Sequence, residues 1–133
     1  MTFLTKNNHD NLFAKPLGKI EKFSFDKAVV DVFPDMIRRS VPGYETILAH
    51  CGELAARYVQ AESTCYDLGC SLGATSLAMR SRINANNAKI VSVDNSQAML
   101  SKLSKILESI PSRIQTELVN QDVCECNIDN ASM

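Results

Sequence analysis

Cys65-Tyr66-Asp67-Leu68-Gly69-Cys70-Ser71-Leu72-Gly73-Ala74-Thr75-Ser76 is the stretch on which the reading of the fold turns. It begins as an apolar run, turns at glycines and opens a helical pattern. A strand, a glycine turn and a helix in that order form a unit suited to a nucleotide-like ligand. Gly69 is expected to make the tight turn, where a residue without Cβ is needed. Gly73 is expected to let the following helix pack close to the strand. The helix N-terminus is expected to present unpaired backbone N–H groups to the ligand.

The spacing is Gly69-x-Ser71-x-Gly73, with Asp67 two residues before the first glycine. The dinucleotide fingerprint is G-x-G-x-x-G. Here Ser71 replaces the second glycine and the third falls one residue early. A small middle residue admits a ligand but not the closest approach of a pyrophosphate. The shorter form, with Asp67, is similar to the first motif of S-adenosylmethionine-dependent methyltransferases. The loop favours S-adenosylmethionine over NAD, and a turn that binds nothing is the remaining reading.

Working outward, Tyr44–Val59 carries Ile47, Leu48, Cys51, Leu54, Ala55 and Tyr58 at helical spacing, a stripe expected to pack on the sheet. Gly52 weakens that helix by about 1 kcal/mol relative to Ala. Before it, Asp26 can cap a short helix holding Ala28, Val29, Val32 and Phe33, which Pro34 is expected to interrupt. Asp35–Arg39 adds one further turn, and Ser40-Val41-Pro42-Gly43 is a break. After the glycine turn, a helix is expected over Ala74–Ile83 and a β-branched strand over Lys89–Val93, ended by Asp94. Ser96 caps a helix with Met99, Leu103, Ile106, Leu107 and Ile110 on its apolar face, stopped by Pro111. Thr116–Val119 is a third strand. This β-α-β-α-β order predicts a parallel sheet with right-handed crossovers. Residues 1–22 read as a flexible N-terminal arm and residues 23–133 as one α/β unit.

The 133 residues suit one domain, and the 45% apolar and 22% charged fractions are those of an ordinary globular protein. A net charge of −1 gives no broad footprint for nucleic acid, so direct nucleic-acid contact is not expected. No apolar run approaches the ~20 residues of a membrane span, and Met1–Asp10 lacks a signal-peptide core. The five cysteines, Cys51, Cys65, Cys70, Cys124 and Cys126, are odd in number and irregular in spacing, which argues against a disulfide framework and suits a reducing cytoplasm. Cys124-x-Cys126 has no second pair or nearby histidine for zinc.

Asp94 lies 25 residues beyond Gly69, near the ~20 expected for a carboxylate that accepts from ribose hydroxyls. Asn95 can reach the same ligand or shape the turn. Asp122, after the third strand, can accept from an adenine amino group, and the Val123 N–H can donate to a ring nitrogen. Cys70 has no adjacent base and reads as a loop filler or backbone donor. Arg38-Arg39 reads as a solvated pair more readily than as a carboxylate clamp. These residues assemble no acid–base pair, metal cluster or activated nucleophile, so the catalytic residues are unknown.

Taken as a set, Phe25-Asp26, Val32-Phe33-Pro34-Asp35-Met36-Ile37, Arg39-Ser40-Val41-Pro42-Gly43-Tyr44, Tyr66–Ala74, Asp94-Asn95-Ser96 and Asn130-Ala131-Ser132-Met133 resemble the bacterial carboxy-S-adenosyl-L-methionine synthases, enzymes of wobble-uridine tRNA modification. The likeness runs from about Phe23 to the end. It implies a Rossmann-like class I methyltransferase fold, here the N-terminal half of the parallel sheet with preceding helices. It implies binding of S-adenosylmethionine or its carboxylated form. The implied reaction transfers the carboxyl of prephenate to the sulfonium methyl and releases phenylpyruvate, with the base drawn from prephenate itself. The family's ligand contacts map onto Tyr44, Gly69, Cys70, Ser71, Asp94, Asn95, Asp122 and Val123, with Val123 where Ile is common. A homodimer is implied, as is about as much chain again, holding an Asn near the cofactor and an arginine for a carboxylate.

The chain is accordingly expected to be the N-terminal part of a longer protein, with an apolar sheet edge exposed beside the first strand. The competing readings are an ordinary S-adenosylmethionine-dependent methyltransferase, a non-catalytic fragment pairing through that edge, and, last, an NAD dehydrogenase.

Overall fold

A computed structural model describes residues 9–11, 14 and 25–133. The expected arm, residues 1–22, falls outside the described residues except at His9, Asp10, Asn11 and Ala14. Seven elements follow in order: α1 (Lys27–Ser40), α2 (Tyr44–Tyr58), β1 (Thr64–Leu68), α3 (Ala74–Arg80), β2 (Lys89–Asp94), α4 (Gln97–Ser109) and β3 (Gln115–Asn120).

The sheet is parallel in the order β1-β2-β3. Leu68 pairs with Val93, and Asp94 with Asn120, so the C-terminal ends of the three strands share one edge. The β-branched run of β2 lies at the centre, with Ile90 and Val93 fully buried. Below the sheet, Cys65, Ile90, Met79, Ala55 and Ile114 form one apolar cluster, and Cys70, Leu100 and Leu103 a second.

The caps form as their side chains dictate. Asp26 accepts from the N–H groups of Ala28 and Val29, and Ser96 Oγ accepts from Met99 N–H at 3.2 Å. Pro34, however, does not interrupt α1, which runs straight through it. The ring lies on an exposed face, and buried Val29 and Val30 anchor the turn before it. Leu100, absent from the expected apolar face of α4, is buried there in place of Ile106 and Ile110.

The stripe on α2 also departs from expectation. α2 packs on α3, with Gly52 as the point of contact. A Cβ at Gly52 would lie 3.0 Å from the Ala78 carbonyl. The glycine that weakens the isolated helix thus brings two helices together. Ala55 reaches the core, while Ile47, Leu54 and Tyr58 stay about half exposed.

The outer edge of β1 is not left open along its length. Ala131 bridges Thr64 in parallel, Ser132 N–H donates to Thr64 O at 3.0 Å, and Tyr66 N–H donates to Met133 O at 2.9 Å. Ser63 and Ser132 join hydroxyl to hydroxyl at 2.6 Å, and Tyr66 Oη accepts from Asp129 N–H. The backbone groups expected to be unpaired are therefore met by the chain's own residues 129–133.

Candidate functional site

The glycine turn carries three left-handed residues: Gly69 at φ 75°, Ser71 at 50° and Gly73 at 76°. The alternation folds the chain back over the end of β2. Gly69 and Cys70 N–H both donate to Val93 O, at 2.8 and 2.9 Å. Ser71 N–H donates to Asp94 Oδ2 at 2.9 Å. These three amides of the turn therefore already have acceptors; the N–H groups at the start of α3, at Ala74 and beyond, are a separate set. Gly73 faces another neighbour than the strand foreseen. A Cβ there would meet Leu103 Cδ1 at 2.4 Å, so the missing side chain makes room for α4.

Asp94 is the hub. Its second oxygen accepts from Ser96 N–H at 2.8 Å, and its carbonyl accepts from Gln121 N–H and Asn120 Nδ2. One residue thus ties the glycine turn to the start of α4 and the end of β3. A carboxylate has about four lone-pair sites, so two N–H donors leave room for hydroxyl donors from a ligand.

Behind the turn, Asp67 is buried, and Ser76 Oγ donates to it at 2.5 Å. Ser76 is in turn 2.7 Å from Ser92 Oγ, and both hydroxyls are fully buried. Burial pushes the Asp67 carboxyl above the usual carboxylate value, while the Ser76 hydrogen bonds oppose the shift. Burial also pushes the Cys70 thiol up to about 12, with the charges of Asp67 and Asp94 adding to the effect. That thiol stays protonated and packs against Leu100 and Leu103, so Cys70 is a loop filler and its amide is not a free donor.

Tyr44 opens α2 and faces a cavity of about 140 Å³ between α1, α2 and the turn, together with Cys70, Ser71 and Leu72. Burial raises its hydroxyl pKa, and the Asp67 charge raises it further. Asn95, Asp122 and Val123 are exposed and do not line this cavity. Asp122 Oδ1 accepts from Cys124 N–H at 2.8 Å, shaping the turn after β3. The structure therefore joins Tyr44, Gly69, Cys70, Ser71 and Asp94 around one loop, with the other three on the same rim of the sheet. The Ser76–Ser92 pair was not foreseen. Its one signal is a serine in the first turn of the helix, nine residues after Asp67.

No family model matches the chain. A Photorhabdus laumondii protein is 46% identical over 127 residues, covering 96% of this chain and 50% of its own length. A Yersinia pestis protein is 46% identical over 124 residues, covering 93% and 46%. Both are named carboxy-S-adenosyl-L-methionine synthase. The chain is a homologue of those synthases. It spans about half the length of the curated relatives it matches. A solved Methanococcus maripaludis protein, described as an S-adenosyl-L-methionine-dependent methyltransferase, superposes with a TM-score of 0.61 at 22% identity, covering 84% of this chain and 48% of its own. That likeness bears on the fold alone. With the parallel sheet, it identifies a partial Rossmann-like class I methyltransferase fold, the same fold as the homology to the synthases implies. Among the described residues, no helix is long and apolar enough to cross a membrane.

Proposed function

We propose that this chain is the S-adenosylmethionine-binding part of a carboxy-S-adenosyl-L-methionine synthase, a transferase. The observation that carries the reading is Asp94, buried at the C-terminal end of β2 and bonded to Ser71 of the glycine turn. An acidic residue there, beside such a turn, is where a ribose is held in folds of this class. The spare lone pairs of Asp94 accept from the two ribose hydroxyls. Asp122 accepts from the adenine amino group, and Val123 N–H donates to a ring nitrogen. Tyr44 and Ser71 bound the cavity on the reacting side of the turn.

The names of the relatives support the synthase activity, and the resemblance of the sequence motifs to that family implies the rest of the reading. The co-substrate is prephenate: its ring carboxyl C–C bond breaks to deliver CO2, its ring hydroxyl leaves and takes up the proton lost by the S-adenosylmethionine methyl to give water, the deprotonated methyl carbon bonds to CO2, and phenylpyruvate is released. The product feeds wobble-uridine tRNA modification through a partner enzyme in the cytoplasm, and the working form is a homodimer. S-adenosylmethionine supplies an activated methyl group. This chain's residues bind and orient it, and the buried Cys70 thiol takes no part in the chemistry.

Calorimetry on the chain with S-adenosylmethionine, and then with its carboxylated form, tests the proposal. Tighter binding of the carboxylated form is expected, with phenylpyruvate released when prephenate is added to the loaded protein. A folded chain that binds neither ligand overturns the reading. Methyl transfer without phenylpyruvate release would mark an ordinary methyltransferase.

A further inference from the structure

The cavity beside the glycine turn has α1 as one wall, through Phe33, Pro34, Ile37 and Arg38. Sites that hold small molecules run to roughly 300–1,000 Å³, against about 140 Å³ here. α1 therefore has to lift for a ligand to enter. The chain allows this movement. α1 ends at Ser40, and the break that follows holds Gly43 in the left-handed region at φ 75°, a pivot between α1 and α2. At its other end α1 is tied to α4 at the surface. Ser96 Oγ donates to the Phe25 carbonyl at 2.8 Å, and Lys102 Nζ lies 3.3 Å from Asp31 Oδ1. Bonds so exposed to water open without stranding a buried donor.

Ser96 stands at a junction. Its N–H donates to Asp94 Oδ1 at 2.8 Å, and its hydroxyl, which caps α4, also reaches Phe25. The Phe25 ring meets Phe33 edge to face with centroids 5.9 Å apart, and Phe33 lines the cavity. A contiguous path thus runs from the carboxylate proposed for the ribose to the wall over the cavity, and it ends on a helix with a pivot. We infer that α1 is a cover over the bound cofactor and that Ser96 is its positioning residue, holding α1 down when a ribose engages Asp94. A ribose bonded to the Asp94 oxygens fixes that carboxylate. Asp94 in turn fixes the Ser96 backbone, and with it the direction of the hydroxyl toward Phe25. α1 lifts to admit the ligand and settles on it, and the ligand favours the seated position because only there does it touch the helix. The inference rests on the proposed function for the ligand at Asp94. The cap of α4 is the role expected of Ser96 from sequence; the bond to Phe25 adds a second.

The test is amide hydrogen exchange of the chain with and without S-adenosylmethionine, with ligand release timed by surface plasmon resonance. In wild type the ligand is expected to slow exchange at Val32 and Phe33 by about fivefold or more, the lower end of coupling between sites. Ser96→Gly removes the hydroxyl but keeps a residue tolerated at a helix N-cap. It is expected to abolish that slowing and to speed ligand release by about fivefold, while exchange at Leu103 in α4 stays as in wild type. Ser96→Thr, which retains the hydroxyl, is expected to behave as wild type. A merely structural cap would alter α4 and leave the response of α1 to ligand unchanged. Slowing in Ser96→Gly equal to that in wild type overturns the inference, as does a wild-type chain that binds S-adenosylmethionine with no change in α1. A folded wild-type chain that does not bind it overturns the cofactor reading as well, so the binding step tells the two failures apart.

Discussion

Asp94 shows how one side chain can do structural and ligand-binding work together. Asp94→Ala leaves the Ser71 and Ser96 amides without acceptors. A loss of about 1–3 kcal/mol is expected, read from urea midpoints, with a smaller loss for Asp94→Asn, which keeps one oxygen. Equal midpoints for all three proteins would deny the hub. Asp67 gives a pH signature. Burial sets its native pKa above the ordinary 3.8, with Ser76 opposing. Below that ordinary value the carboxyl is protonated in both states. As pH rises through the raised native value, the folded chain must hold a buried charge that the unfolded chain holds in water, and stability is lost. Asp67→Asn is therefore expected to gain on wild type from acid toward neutral pH, and a difference independent of pH would refute it. Asp67 and Asp94 were legible as residues because the glycine spacing fixes where strand ends fall. Ser76 and Ser92 were not, because a small polar residue inside a helix or strand carries no sign of whether it points at a buried carboxylate.

At the scale of elements, the two outer glycines of the turn separate conformation from packing. Gly69 has open space around its missing side chain, whereas Gly73 is backed by Leu103. Gly69→Ala is expected to cost about 1–2 kcal/mol for the left-handed backbone. Gly73→Ala adds about 1–3 kcal/mol of overpacking to that, so its thermal midpoint should fall further; equal falls would argue against the α4 contact. In α1, Pro34 withholds an N–H from the helical ladder. Pro34→Ala is expected to stabilise the chain by about 1–3 kcal/mol, measured by urea unfolding. Element types and order were readable because apolar periodicity and caps are local signals. The course of α1 through Pro34 and the contact face of α2 were not. Both depend on which neighbour a helix meets, and Gly52 looks like a flaw until Ala78 lies against it.

For the whole molecule, the edge of β1 is a strand edge that residues 131–133 cover. Ser132→Pro removes the N–H that donates to Thr64 O. The freed edge is expected to pair between molecules, making the sedimentation coefficient rise with concentration beyond that of wild type; a coefficient the same as wild type's would show that the edge is protected in another way. The sequence reading foresaw the hazard of that edge. It could not foresee that residues 129–133 return to it, because a contact so distant along the chain leaves no periodic mark.

That return has a kinetic consequence. Ser63 and Ser132 lie 69 residues apart, so the seam they close cannot form until the strands and crossovers between them are in place. In pulse-labelled refolding, the amides of Ile90 and Val91 should gain protection first and that of Tyr66 last. Under native conditions the order should reverse, with Tyr66 giving up its proton to solvent before the central strand opens.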